Sequence, residues 1–71
     1  MTQKLEDGTK VEFRNENLHK ISPEFYPESG TIGTVVYKVK NSKITLVQWP
    51  EGSTSLRDRW YAADTDIRIA K

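Results

Sequence analysis

The strongest strand signal in the chain is GTIGTVVYKVK, residues 30–40. It is rich in β-branched and aromatic residues, which suit the pleated, half-buried surface of a sheet. Asn41 and Ser42 are typical turn residues. The segment KITLVQW, residues 43–49, then predicts a returning strand. Residues 30–49 therefore predict a β-hairpin and place the chain in the all-β class.

Further strands are predicted on both sides of this hairpin. Toward the N-terminus, TKVEFR (residues 9–14) alternates polar and apolar residues, so we expect Val11 and Phe13 to face inward. Toward the C-terminus, the turn residues at 50–52 precede a fourth strand within 53–62, and DIRI (residues 66–69) predicts a short fifth strand. Five short strands separated by turn signals are typical of a small barrel or sandwich.

A long connection, residues 15–29, separates the first two predicted strands. The spacing of Leu18 and Ile21 permits one helical turn, whereas Pro23 and Pro27 disfavour a longer helix. Long loops in small domains are often functional. We therefore consider this connection as part of a candidate binding surface.

Length and composition limit the architecture to one small domain. The 71 residues are 35% hydrophobic and contain no cysteine, so neither disulfides nor a thiolate metal site supports the core. We expect a flexible leader at residues 1–7 and a single domain at residues 8–71. No apolar run reaches the roughly 20 residues that cross a bilayer, and the N-terminus has no signal-like stretch. The expected location is the cytoplasm.

The order of these signals resembles the SH3-like barrel superfamily. The resemblance is carried by Gly8-x-x-Val11, the long loop, GTxGTVV at 30–36, Val47-x-Trp49-x-x-Gly52 and Asp66-Ile67. The chain looks most like mind-bomb-type repeat domains of ubiquitin ligases and like short bacterial and phage proteins, and more distantly like KOW modules. This implies a five-stranded SH3-like barrel with a long loop after the first strand. Mind-bomb-type repeats bind peptides, and KOW modules bind RNA or proteins.

Signatures of catalysis and of metal binding are weak in this sequence. The single histidine, His19, lies in the long connection with no nucleophile motif to partner it. Gly30-x-x-Gly33 is too short for a phosphate loop and lacks the following lysine. The usual spacings of metal ligands are absent. We expect a non-catalytic protein without a cofactor or a metal.

A binding module is the better prediction, with a protein or peptide as the first choice of partner. Arginine, tyrosine and tryptophan are common anchors of interfaces. Arg57, Arg59 and Tyr61 alternate onto one predicted face, with Trp60 on the other. Phe25 and Tyr26, between the two prolines, either form an aromatic wall of a peptide groove or attach the loop to the domain. The predicted partner-binding residues are Tyr26, Arg57, Arg59, Trp60 and Tyr61. Trp49, in contrast, shares a face with Val47 and is expected in the core.

Two other functions stay open at this point. Net charge is only +1, but residues 36–71 carry seven basic and four acidic residues. Weak binding of RNA or DNA through Lys38, Lys40, Lys43, Arg57 and Arg59 is the alternative, because basic residues interleaved with aromatics suit a phosphate backbone and its bases. Lysines on an exposed hairpin also serve solubility. An accessory subunit of a larger complex is the third possibility, and the sequence leaves the oligomeric state open.

Overall fold

The computed structural model describes residues 4–70 and consists mainly of one antiparallel sheet. Its five strands are β1 (Lys10–Phe13), β2 (Ile32–Lys38), β3 (Ile44–Gln48), β4 (Arg59–Ala63) and β5 (Ile67–Ile69). A six-residue helix, α1 (Glu16–Ile21), lies between β1 and β2, and a single 3₁₀ turn (Asp64–Asp66) lies between β4 and β5. The all-β class and the five strands predicted from the sequence are confirmed.

The strand order across the sheet is β4-β3-β2-β1-β5, and every neighbouring pair is antiparallel. Within residues 4–70, β4 and β5 do not pair with each other, so the sheet has two ends and is not closed into a barrel. The long connection after β1 is present and contains α1. No helix in the described part of the chain has the length and apolar character needed to cross a membrane.

The core lies on one face of the sheet, which we call the inner face. Val11 and Phe13 are fully buried there, as the alternation in β1 predicts. They pack with Val35, Val47 and other residues, and the core includes Trp49, which is 2% exposed. The expected core position of Trp49 is confirmed. The opposite face, which we call the outer face, carries the alternate residues of each strand.

Gly33 is required because Trp49 occupies the space beside it. A Cβ built on Gly33 would lie 2.5 Å from Cε3 of Trp49 and 2.8 Å from Cγ1 of Val47. Carbon atoms in contact are normally about 3.5–4.0 Å apart, so no side chain fits there without displacement of the core. Gly30 has a different role, since its φ of +99° is in the left-handed region that favours glycine.

Helix α1 begins at a side-chain cap and ends before Pro23. The side chain of Asn15 accepts a hydrogen bond from the backbone N–H of Leu18 (3.2 Å). This bond satisfies a donor at the start of the helix. The amide of Asn15 also donates to Asp66 (2.8 Å), next to β5. The helical turn that the spacing of Leu18 and Ile21 permits is present, and its cap connects it to the residue that precedes β5.

The predicted leader is attached to the domain at Leu5. Residues 1–3 of that leader lie outside the described residues. Leu5 is 6% exposed and packs in the core. The backbone N–H of Gly8 donates to the carbonyl of Val35 (2.8 Å), which connects the following turn to β2. Within residues 4–7, one apolar side chain is therefore buried, in a stretch whose polar composition predicts a loose segment.

Candidate binding surface along strand β4

An aromatic stack joins the long connection to strand β4. The ring of Phe25 lies on the ring of Trp60, with a centroid distance of 4.5 Å and an interplanar angle of 26°. Both side chains are half-buried. Trp60 pairs with Val47 in the sheet, so it extends from the inner face toward the long connection. The guanidinium carbon of Arg57 lies 5.8 Å from the centre of the Trp60 ring, which is within the range of a cation–π contact.

Backbone hydrogen bonds hold the loop before β4 against the long connection. The carbonyl of Glu24 accepts from the N–H of Leu56 (3.2 Å) and of Arg57 (3.0 Å). The carbonyl of Pro23 accepts from the N–H of Ser55 (3.3 Å). These contacts bring together two loops that are far apart in sequence, and they fix where Phe25 meets Trp60.

Two strongly exposed aliphatic side chains lie in the two segments that meet at this junction, the long connection and the loop before β4. Leu56 is 67% exposed and Ile21, at the end of α1, is 74% exposed. They are the two most exposed large hydrophobic residues in the described part of the chain. Isolated apolar residues on a surface are common, but Leu56 adjoins Arg57 and its N–H bonds to the carbonyl of Glu24, the neighbour of Phe25. An apolar residue beside aromatics and an arginine matches the composition of an interface.

Tyr26 is oriented toward the core instead of toward Trp60. Its ring stacks on Phe13 at a centroid distance of 5.8 Å, and its carbonyl lies 2.9 Å from Nδ1 of His19. The next residue, Pro27, is buried. Of the two roles considered for the aromatic pair, Tyr26 therefore attaches the loop to the domain, whereas Phe25 forms part of the surface beside Trp60.

The outer face of β4 carries a second aromatic group. The hydroxyl groups of Tyr61 and Tyr37 lie 3.2 Å apart. Leu46 lies between these tyrosines in the sheet, so their side chains meet above it. The hydrogen bond with Tyr61 and the electrostatic interaction of the two hydroxyls raise the pKa of Tyr37 above its ordinary value of 10.0. Arg59, on the same face, donates from Nε to the side chain of Gln48 (3.0 Å).

Four of the five predicted partner-binding residues are thus divided between the two sides of β4. Arg57 lies with Trp60, and Arg59 lies with Tyr61. The prediction that Arg57 shares a face with Arg59 and Tyr61 is wrong, because β4 begins at Arg59 and the strand alternation does not extend back to residue 57. Tyr26 is apart from both groups, against the core.

The five residues predicted for nucleic-acid binding are also dispersed. Lys38 forms a salt bridge with Asp64 (3.0 Å) and donates to the carbonyl of Ser42. Lys40 lies beyond the end of β2, although the strand signal at residues 30–40 includes it. Lys40 and Lys43 are exposed in the hairpin loop, and Arg57 and Arg59 lie on opposite sides of β4.

A bulge explains the position of Lys38. The register between β2 and β3 shifts between Val35 and Tyr37, which leaves Val36 as the extra residue. Beyond the bulge, Lys38 lies opposite the buried Thr45, whose hydroxyl donates to Asp64 (2.7 Å). A sequence pattern of period two does not reveal such a shift.

Phe25, Leu56 and Ile21 are the surface residues that the sequence-based site left out. The signal for Phe25 was its position beside Tyr26 between two prolines, although the pattern did not show which ring faces outward. Leu56 is a single apolar residue in an irregular segment, and Ile21 ends a helix of six residues, so no periodicity marks either side chain as exposed.

The surface offers aromatic, aliphatic and cationic contacts. Within residues 4–70, no group of three or more His, Cys, Asp or Glu side chains is arranged to hold a metal ion. Comparison of the chain with protein-family models, with curated proteins and with solved structures gives no match.

Proposed function

We propose that this chain is a small, non-catalytic protein-interaction module that binds a peptide segment of its partner along strand β4. The observation that carries the proposal is the stack of Phe25 on Trp60 beside the exposed side chains of Arg57 and Leu56. Aromatic and arginine side chains at the centre of a surface, with apolar neighbours, are the usual anchors of protein interfaces.

The positive charges of Arg57 and Arg59 at this surface favour a partner with negative charge. Neither Arg57 nor Arg59 forms a salt bridge in the described part of the chain. An arginine without a carboxylate partner keeps guanidinium donors available for an acidic or carbonyl-rich ligand, although Nε of Arg59 already donates to Gln48. Both residues are exposed, so a partner can reach their guanidinium groups.

We also propose that the chain is a relative of the SH3-like superfamily with an open sheet. The five antiparallel strands and the long connection after β1 support this relationship. In the SH3-like domains it resembles, the groove lies between the long early loop and the later strands. The contact of Phe25 with Trp60 is in the corresponding part of this molecule, which agrees with the proposed peptide site.

The test is capture of partners from the native host by wild type, Arg57→Ala, Trp60→Ala and Lys43→Ala. Arg57 is exposed and Lys43 is an exposed cation of the hairpin, so both single changes should leave stability within about 0.5 kcal/mol. We expect Arg57→Ala and Trp60→Ala to lose the captured protein and Lys43→Ala to keep it. A two-dimensional amide spectrum of each variant shows whether its fold is retained.

Capture that is unchanged in both Arg57→Ala and Trp60→Ala would refute the site. Loss in Lys43→Ala alone would favour the hairpin instead. For that case, a titration with a short RNA at low and moderate salt is the discriminating measurement, because binding through phosphate contacts weakens steeply as salt increases.

A further inference from the structure

Strand β4 has an unpaired edge. It forms one end of the sheet, and β3 is its one strand neighbour within residues 4–70. An unpaired edge presents backbone donors and acceptors to which another extended chain can add. Proteins commonly protect such an edge with lysine, proline or a bulge, but β4 (RWYAA) contains none of these in its regular ladder with β3.

The hydrogen-bond pattern identifies the backbone groups on this edge. The N–H of Trp49 donates to the carbonyl of Asp58 (2.7 Å), and the N–H of Asp64 donates to the carbonyl of Lys43 (2.8 Å), at the two ends of the ladder. Hydrogen-bonded and non-hydrogen-bonded pairs alternate in an antiparallel ladder. Trp60 and Ala62 therefore bond to β3.

The intervening residues of β4 point their backbone groups away from β3. These are the N–H groups of Arg59, Tyr61 and Ala63 and the carbonyls of Arg59 and Tyr61. Among the described residues, none of these three N–H groups donates to a backbone carbonyl outside the sheet. The edge thus offers three donors and two acceptors at the spacing of a strand.

Peptide addition at this edge accounts for the division of the surface between two sides. An added strand presents alternate side chains to the two faces of a sheet. One set would lie beside Trp60 and Phe25, and the other beside Tyr61. We infer that the partner peptide binds as an extended sixth strand along β4. This inference rests on the proposed function, because it concerns the same site.

The charges at the edge indicate an acidic peptide. Arg57 lies beside Trp60 on one side, Arg59 lies on the other, and neither has a salt bridge within residues 4–70. The nearby carboxylate of Asp64 is engaged by Lys38 and Thr45. Glutamate or aspartate side chains on either face of the added strand can therefore reach an arginine.

Ala63 provides a substitution that tests the edge without disturbing the sheet. Its φ is −67° and its ψ is 142°. This is a backbone geometry that proline readily adopts. Its N–H points away from β3, so Ala63→Pro removes no bond of the ladder. Proline is tolerated at such an edge position. The ring would remove one donor and place a carbon where the added strand must approach, whereas Ala63→Ser keeps the donor and is the matched control.

The experiment begins with selection of binders from a library of random 12-residue peptides against the whole chain. The tightest binder is the probe for titration with wild type, Ala63→Pro, Ala63→Ser and Arg57→Ala. Amide hydrogen exchange of the protein is measured by NMR with and without this probe peptide. In the free protein we expect fast exchange at Arg59, Tyr61 and Ala63 and slow exchange at Trp60 and Ala62. The probe should slow exchange at the first three amides.

Strand addition predicts that Ala63→Pro weakens peptide binding about fivefold or more, because one backbone hydrogen bond is lost and the proline ring obstructs the added strand. Ala63→Ser should bind the peptide as wild type does. It also predicts enrichment of acidic residues among selected peptides and weaker binding after their exchange for glutamine. Equal binding by Ala63→Pro, without protection of the three amides, would overturn strand addition.

The failure of this inference and the failure of the proposed function give different results. A peptide whose binding depends on Arg57 but not on Ala63→Pro leaves the proposed function standing and overturns strand addition. If the library yields no binder, both are overturned. If the β4 amides become protected from hydrogen exchange as protein concentration rises, without peptide, the edge binds a second copy of the chain. If an oligothymidylate protects these amides and peptides do not, the edge binds nucleic acid.

Discussion

The substitution Gly33→Ala tests the packing of the core most directly. The added methyl group would lie 2.5 Å and 2.8 Å from Cε3 and Cζ3 of Trp49, and 2.8 Å from Cγ1 of Val47. These distances are about 1 Å shorter than normal carbon contacts. Trp49 and Val47 are 2% and 0% exposed, so neither side chain has open space into which it can move.

The expected loss of stability follows from two opposing effects. Overpacking of a core costs about 1–3 kcal/mol. Replacement of glycine by alanine in a strand recovers about 0.5–1 kcal/mol through the unfolded chain, since the φ of Gly33 is not in the left-handed region. From the midpoints of these two ranges we expect a net loss of about 1 kcal/mol. For a domain of this size, each kcal/mol lowers Tm by about 4–8 °C.

Urea denaturation followed by tryptophan fluorescence measures this loss. Thr34→Ala is the matched control, because Thr34 adjoins Gly33 in β2 but lies on the outer face, where its hydroxyl accepts from Lys10. The control should change stability by about 0.5 kcal/mol or less. Stability of Gly33→Ala equal to or above that of wild type would refute the argument that Trp49 requires glycine here.

A double-mutant cycle separates the contact with Trp49 from other effects. Nε1 of Trp49 is buried and has no hydrogen-bond partner among the described residues, so Trp49→Phe removes bulk without breaking a hydrogen bond. We expect Gly33→Ala to cost less in the Trp49→Phe background, with a coupling energy of about 0.5–3 kcal/mol. Additive costs would show that the two positions do not interact.

Two further predictions concern side-chain hydrogen bonds. Asp64→Ala removes the acceptor of the fully buried Thr45 hydroxyl. We expect this change to lower the free energy of unfolding by about 1–3 kcal/mol. The denaturation midpoint measures the loss, and an unchanged midpoint would contradict the prediction. Tyr61→Phe removes the hydroxyl that raises the pKa of Tyr37, so the absorbance titration of Tyr37 should move down toward 10.0. The pKa of Tyr37 is raised in the folded state, so the protonated Tyr37 hydroxyl stabilises the fold below about pH 10. This stabilisation is lost as pH rises through the folded-state pKa. This loss should be smaller in Tyr61→Phe, and identical titrations of the two proteins would count against the interaction.

The strands and most of the core could be predicted because their signals are local. Val11 and Phe13 alternate with polar residues, and that alternation by itself requires a strand with one buried face. The turns at Asn41 and Gly52 have φ values of +60° and +85°. Asparagine and glycine favour such values for reasons internal to those residues. Pro23 likewise limits the length of α1 through its own geometry.

The candidate site was predicted only in part because it depends on where distant segments meet. Trp60 and Arg57 were identified by residue type, but the contact of Trp60 with Phe25 follows from hydrogen bonds between the loop before β4 and Glu24. The bulge at Val36 placed Lys38 opposite Thr45 and next to Asp64, which removed a lysine from the predicted basic surface. Neither effect leaves a periodic trace in the sequence.

The sequence by itself determined the all-β class, the inward residues of β1 and β3 and the turns, because short-range sterics and the period of two act within a few residues. The tertiary structure alone decided the order of the strands, the open edge of β4 and the partners of Trp60 and Lys38. The physical reason is that these features depend on the relative register and packing of segments far apart in the chain. Such contacts are selected by the free energy of the whole core and not by the conformational preference of any single segment.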